Sequence, residues 1–270
     1  LEHHTRLERV PIGANMRHDQ LDAGVTPEWL QDPEVPWGLQ TPPPAMPKEP
    51  LSWLYRLALH LKQQREQVRG KPEQFNRPDY SFRVLGIEAG GIQGHEPVEI
   101  TTRRRGAPLD LMVAEAMILA NSTWGAWMAS LGVPAIYRSQ ASLAPGVKVR
   151  MGSKSLPHAG IGVASYAWST SPLRRYTDLV NQWQLISCVR HGRMAALAAP
   201  FKPKDATLFA IISNFDAAYT AYNDFQRGIE RYWTLRWLQQ QEVSELEATV
   251  LKDGLVRSET LPLVFKVTGA

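Results

Sequence analysis

The sequence predicts an α+β fold, in which a mixed sheet packs with long helices and a small β module follows. Three observations carry this. Short runs of alternating apolar and polar residues recur between positions 5 and 168. Four longer segments read as helices instead, two of them by apolar residues at steps of three and four. Near the end, two strand-like runs meet at Asp253-Gly254, a hairpin signal.

Taken in order, Thr5 to Ile12 alternates like a strand. Prolines 33, 36, 42, 43, 44, 47 and 50 then exclude a helix or a central strand, and predict an extended linker or a loop wrapping the domain. Leu51 to Arg69 reads as a helix with Leu54, Leu57 and Leu61 as its apolar stripe. Gly70 ends it, and its Gln/Arg-rich last turns are expected to face solvent. Tyr80–Leu85 and Val98–Arg103 read as paired strands around the turn of Gly90, Gly91 and Gly94. Pro108 opens a helix to about Leu131, closed by Gly132.

Strand-like pieces follow at Ala135–Arg138, Val147–Met151 and Ile161–Trp168. The next helix is expected from Pro172 to Gly192, with Ser171 as its N-cap. From about Asp205 to Gln241, Leu208, Ile211, Phe215, Ala218, Tyr222, Phe225, Ile229 and Tyr232 step by three and four. That seam predicts one long helix lying across a sheet, a coiled-coil partner being the other use. Leu246–Lys252 and Leu255–Val267 form the closing β module. The domains are therefore residues 1–241 and a β module, 242–270.

Composition narrows the class. Apolar residues make up 44% of the 270, enough for a substantial core and too many for a disordered chain. The single cysteine, Cys188, excludes a disulfide framework and suits a reducing compartment, so the expected location is the cytoplasm. No apolar run approaches the roughly 18 residues of a membrane span. The chain opens on Leu1 and runs straight into a strand-like segment, which reads as a start inside a domain. Net charge is only +4, but 21 Arg stand against 9 Lys. Arg is the residue for bidentate phosphate contacts, although a coding bias toward Arg gives the same count.

The strongest local chemistry lies at Ser171-Pro172-Leu173-Arg174-Arg175-Tyr176. Two cations in the first turn of a helix oppose the macrodipole, at about 0.3–1 kcal/mol each, unless an anion sits beside them. Asp178 answers only part of that charge. A phosphate would answer the rest, gripped by free N–H groups and two guanidinium forks; splaying of both side chains into solvent is the alternative. Tyr166, Trp168, Tyr176 and Trp183 surround the motif, as stacking platforms for single-stranded nucleic acid or as core, with Trp183 expected to point inward. Glu115 stands among apolar residues of the Pro108 helix, which requires a partner, such as a ribose hydroxyl or Arg138. The run Arg103-Arg104-Arg105 reads as solvated surface. No close aspartate cluster, HExxH, P-loop or G-x-S-x-G is present, and His18-Asp19 with Asp22 is too sparse to hold Mg²⁺.

Ser165-Tyr166-Ala167-Trp168-Ser169-Thr170-Ser171-Pro172-Leu173-Arg174-Arg175-Tyr176-Thr177-Asp178-Leu179 resembles the signature of the ribonuclease II (RNB) family of 3′→5′ exoribonucleases. Ala114-Glu115-Ala116-Met117-Ile118-Leu119-Ala120-Asn121 and Pro134-Ala135-Ile136-Tyr137-Arg138 resemble a second block in the same order. Gln226-Arg227 and Glu230-Arg231-Tyr232-Trp233 look like the helix that follows, so the resemblance spans roughly residues 5–240. It implies an RNB-type catalytic domain that takes single-stranded RNA 3′ end first and releases nucleoside monophosphates by Mg²⁺-dependent hydrolysis.

The same resemblance implies Arg174 on the scissile phosphate, as the catalytic residue, with Arg175 beside it. Ser171, Tyr176, Glu115, Arg138 and Asn121 join them as RNA-binding residues. Where the family often has a second acid before the Glu, this chain has Ala114. The family's Mg²⁺ ligands are aspartates N-terminal to every block found here. They are expected in a preceding part of the same protein, which with RNA is the implied partner, and no membrane is implied. The closing segment is expected to supply part of a reduced S1/OB-like module. A catalytically silent RNA-binding module is the alternative function, and a helical scaffold using the Leu208–Tyr232 seam is a third.

Overall fold

The protein is described by a computed structural model covering residues 3–13, 15, 21–40, 47–73, 78–87, 90–103, 106–251 and 254–267. His18-Asp19, prolines 42 to 44, Arg104-Arg105 and Asp253 lie outside the described residues. The fold is α+β with a small β module toward the C-terminus. The chain forms two compact units, one of residues 1–74 and 106–217, the other of 75–105 and 218–270.

In the first unit, α1 (Pro27–Gln31) and α2 (Lys48–Arg69) precede α3 (Pro108–Ser130). Thr26 caps α1 by accepting from the Trp29 N–H. Val25, Trp29, Leu30, Leu51, Tyr55, Ala58, Leu109, Leu111 and Met112 form one core around these helices. The buried stripe of α2 is thus Leu51, Tyr55, Ala58 and Arg65, and Leu54 is exposed. Both sets obey the three-and-four spacing; contact with Trp29, Leu30 and Leu109 decides between them. Lys48 donates to the carbonyls of Asp32, Pro33 and Val35, which anchors part of the proline-rich stretch. Gly70 closes α2 at φ +71, the left-handed conformation that favours glycine.

A hairpin of β3 (Tyr137–Ser139) and β4 (Arg150–Gly152) follows; β1 (Asp79–Val84) and β2 (Val98–Arg103) belong to the other unit. Then come α4 (Tyr176–His191), a 3₁₀ turn (Gly192–Met194), α5 (Ala195–Ala198) and the start of α6 (Ala206–Gln240). A second core gathers Met128, Val133, Ala135, Tyr137, Ala167, Leu185 and Cys188. A third gathers Ile136, Val180, Leu208 and Ile212.

The second unit holds β1 (Asp79–Val84) and β2 (Val98–Arg103), antiparallel over six residue pairs from Asp79↔Arg103 to Val84↔Val98. It also holds the rest of α6 and a three-stranded antiparallel sheet, β5 (Ala248–Val250), β6 (Leu255–Ser258) and β7 (Val264–Lys266). Among the described residues every named ladder is antiparallel and the sheets are small. Gln240 accepts from the Val98 N–H and donates to the Glu96 carbonyl, tying the end of α6 to β2.

Four expectations change. Residues 5–12 form no strand; Leu7, Val10 and Ile12 are exposed, because alternation makes a strand only where a neighbouring edge accepts its hydrogen bonds. Ile161–Trp168 contributes only the isolated bridges Tyr137↔Ala167 and His158↔Val163, since the Ile161 and Gly162 N–H groups turn back onto the His158 carbonyl while Arg65 and Asn181 take the Ile161 and Trp168 carbonyls. The helix expected at Pro172 begins at Tyr176. The seam of α6 is buried at Leu208, while Tyr222 and Phe225 are 60% and 66% exposed, so its middle lies across no sheet among the described residues.

Candidate functional site

Residues 165–175 carry the motif singled out above, and polar side chains from two helices hold them. From α3, Asn121 accepts from the Ser169 N–H at 2.8 Å and donates toward Thr170 Oγ1 at 3.3 Å. From α4, Asn181 donates to the Trp168 and Ile136 carbonyls and accepts from the Ile136 N–H. Gln182 donates to the Ser169 carbonyl at 2.6 Å. Each buried amide therefore answers backbone groups that a sheet would otherwise pair. Gly125 lets α3 approach this segment: a Cβ there would stand 2.9 Å from Ser165 Oγ.

Ser171 to Arg174 form a turn, with the Arg174 and Arg175 N–H groups both donating to the Ser171 carbonyl. Ser171 does not cap the helix. The cap position belongs to Arg175, in extended conformation at φ −130° and ψ 116°. Asp178, fully buried in the first turn of α4, organises this bend. It accepts from the Ser171 N–H at 2.9 Å and from Arg175 Nη2 at 2.7 Å. A carboxylate at a helix N-terminus complements the macrodipole. The conflict expected between two arginines and the dipole is thus resolved internally for Arg175, because the helix starts four residues later than its sequence signals suggest.

The two arginines consequently differ. Arg175 is mostly buried, paired with Asp178, and stacked with its guanidinium carbon 4.0 Å from the Trp168 ring centre. Its Nε is buried and finds no partner among the described residues. Arg174 is exposed, and its side chain makes no hydrogen bond or ion pair among the described residues. Arg138, half-buried on β3, also lies over Trp168, at 3.8 Å. Trp168 therefore gathers two cations at one place, each contact worth about 0.5–2 kcal/mol. Tyr176 is exposed and stands edge-on to Trp183 at 6.1 Å. Trp183 is 36% exposed rather than turned inward, whereas Tyr166 and Trp168 are buried.

Glu115 is 1% exposed, and its partner is Arg65, not Arg138 or an open hydroxyl site. Arg65 donates through Nε to Oε2 at 2.9 Å and through Nη2 to Oε1. It also reaches the Ile161 carbonyl and Glu73. Burial pulls the Arg65 pKa down, but Glu115 and then Glu73 outweigh it, and the guanidinium stays charged. Gly162, at φ +81, passes so near that a Cβ would stand 2.4 Å from the Arg65 carbonyl. Sequence reasoning placed Arg65 in solvent. The signal that finds it is its three-and-four register with Leu51, Tyr55 and Ala58.

His158 is buried edge-on to Tyr166, and its Nδ1 accepts from the Ile161 N–H. Burial first, and the charge of Arg138 second, push its pKa down to about 4, so it is neutral near pH 7. Cys188 is buried, which pushes its thiol up to about 11 and leaves it unreactive.

The site thus brings Arg138 and Arg175 together over Trp168, with Arg174 and Tyr176 flanking Arg175 along the chain, while Asn121 and Glu115 are buried and spend their polar atoms on the protein. An exposed guanidinium with an exposed aromatic residue two positions on is an arrangement that can bind an anion. Among the described residues no group of three His, Cys, Asp or Glu could hold a metal ion. The described residues therefore do not fit the Mg²⁺ that the resemblance implies. Nor is any helix among them long and apolar enough to cross a membrane.

A family model described as the RNB domain matches residues 28–149 and 145–191. A protein described as an uncharacterized ribonuclease from Synechocystis sp. is 26% identical over 197 residues, covering 64% of this chain and 28% of that one. Among solved structures, an active-site mutant of the Dss1 exoribonuclease from Candida glabrata aligns with a TM-score of 0.57 at 22% identity, covering 79% of this chain and 30% of that one. RNase R from Mycoplasma genitalium, in complex with ribose-methylated single-stranded RNA, aligns with a TM-score of 0.59 at 14% identity, covering 92% and 44%. The chain thus spans between about a quarter and a half of the length of these relatives.

Proposed function

Because the chain belongs to the RNB domain family, we propose that it forms the RNA- and phosphate-binding part of a 3′→5′ exoribonuclease that degrades single-stranded RNA to nucleoside monophosphates. Residues 1–241 supply the RNB-type portion, and 242–270 a reduced S1/OB-like module. The observation that carries the reading is the contrast between the arginines: Arg175 is committed to Asp178 and Trp168, while Arg174 is held beside it and free for an anion.

In this reading Arg174 contacts the phosphate to be cleaved. Its guanidinium offers parallel donors to two phosphoryl oxygens and stabilises the charge that grows on them during displacement. Arg175, Asp178 and Trp168 position it by fixing the turn. Tyr176 offers an exposed ring beside the anion site, where a base can stack. Glu115 acts from beneath, through Arg65, and does not touch the ribose. The divalent ion would bind with aspartates from outside these residues.

The test is RNA affinity against salt, together with mononucleotide release, for Arg174→Ala. The variant should lose affinity, lower the salt slope by roughly 0.7 for one lost phosphate contact, and release less mononucleotide. Unchanged affinity and slope would remove Arg174 from the site. Binding without release by the wild-type full-length protein would favour the RNA-binding module over the nuclease.

A further inference from the structure

The β3–β4 hairpin and the first turns of α6 enclose an open cavity of about 910 Å³ within the first unit. Its two walls differ in charge. The hairpin wall presents Lys148 and Arg150, both exposed, with no carboxylate in ion-pair contact among the described residues. The helix wall presents Phe209, Ile212, Ser213 and Asp216, which at spacings of three, one and three share one face of α6. Phe209 is half exposed, and Met151 and Ile212 supply an apolar floor packed into the core below. The hairpin is braced: Gln140 donates to the Val147 carbonyl, and its own N–H donates to the Pro157 carbonyl.

We infer that this cavity is a second contact for single-stranded RNA, with phosphates on Lys148 and Arg150, a base on Phe209, and ribose hydroxyls on Ser213 and Asp216. The inference rests on the reading of the chain as an RNA-binding protein. The separation of charge argues for it. An acidic peptide would meet Asp216 across the cavity, whereas a nucleotide has an anionic edge for the cationic wall and hydroxyl donors for the acid. Aromatic stacking beside a cationic track is the way single strands are held without sequence readout. An acceptor carboxylate and a hydroxyl on the opposite wall suit the 2′-hydroxyl, the group that separates RNA from DNA. One strand serves both places: on β3 Arg138 lies over Trp168, and its neighbour Ser139 lines the cavity.

The experiment measures affinity of the full-length protein for single-stranded RNA and for DNA of the same sequence, over a range of salt. Lys148→Ala with Arg150→Ala should lower the salt slope by about 1.4, two contacts at ~0.7 each. Phe209→Ala should weaken binding about 5- to 150-fold with the slope unchanged. Asp216→Asn with Ser213→Ala should narrow the preference for RNA over DNA. Unfolding midpoints identify any variant that acts by misfolding, and Lys148→Arg with Arg150→Lys should keep the slope. If the cavity variants bind RNA as wild type while Arg174→Ala still weakens it, this inference fails and the proposed function stands. If Arg174→Ala is also silent, the failure lies in the reading beneath it. Capture of a poly-glutamate peptide that competes with RNA and is lost in the Lys148, Arg150 pair would make the cavity a protein-docking site, and would also overturn the inference.

Discussion

Arg65 donates its Nε to Oε2 of Glu115 at 2.9 Å, joining residues 50 positions apart in an ion pair that is buried on both sides. The pair fixes α2 to α3, and through the Ile161 carbonyl it fixes the approach to the segment carrying Trp168. Removing one member should cost far more than removing both. Arg65→Ala strands a carboxylate in a site closed to water, at about 3–5 kcal/mol. Arg65→Met with Glu115→Leu should recover most of that loss. Denaturant unfolding of the two single variants and the double checks it; equal losses in all three would remove the ion pair as the cause.

The arginines of the motif should separate by readout. The Arg174 side chain is exposed and makes no hydrogen bond or ion pair among the described residues, so Arg174→Ala should leave stability within about 0.5 kcal/mol and act on RNA alone. Arg175→Ala removes a charge-assisted bond to a fully buried Asp178 and a ring contact, so it should cost about 1.5–3 kcal/mol. Thermal unfolding alongside RNA affinity distinguishes them. A large stability loss for Arg174→Ala would contradict the geometry.

Asn121 resembles a ligand-binding residue by position, and its hydrogen bonds make it a bracket. Asn121→Ala leaves the buried Ser169 N–H unanswered and should cost about 1–3 kcal/mol. Activity per folded molecule should then change less than for Arg174→Ala. A normal unfolding midpoint with abolished RNA binding would return Asn121 to the RNA.

Much of this fold was legible in the sequence. Gly70 and Gly132 end helices at positive φ where the pattern stops, and the six-pair β1–β2 ladder follows the alternation of its two segments. The start of α4 was misread for a definite reason. Ser171-Pro172 carries every local signal of a helix start, yet Asp178 binds both the Ser171 N–H and Arg175, and that holds the chain in a turn until Tyr176. Local rules score each residue against its neighbours; a carboxylate seven positions on competes for the same N–H. The partner of Glu115 was hidden for a related reason, because Arg65 is polar by composition and buried by register. The seam of α6 shows the converse: periodicity reports an apolar stripe, not what covers it.

His158 contributes to the dependence of stability on pH above the carboxylate range. Its folded pKa lies near 4, below the ordinary value of 6.5, through burial first and the Arg138 charge second. Between those values the unfolded chain binds the proton and the folded one does not. Stability from this residue is therefore fully present above about pH 6.5 and is lost as pH falls toward 4. The cause is local: Nδ1 accepts from the Ile161 N–H, and a proton placed there breaks that bond beside a cationic guanidinium. Wild type should lose unfolding free energy steadily across that window. His158→Gln keeps an acceptor without the titration, so its curve should be flatter between pH 6.5 and 4, although it is less stable at pH 7. Parallel curves for the two proteins would assign the acid sensitivity to another group. Because the His158 loop bears on Tyr166 and on the Gly162 turn against Arg65, RNA affinity in wild type should fall with stability through the same window.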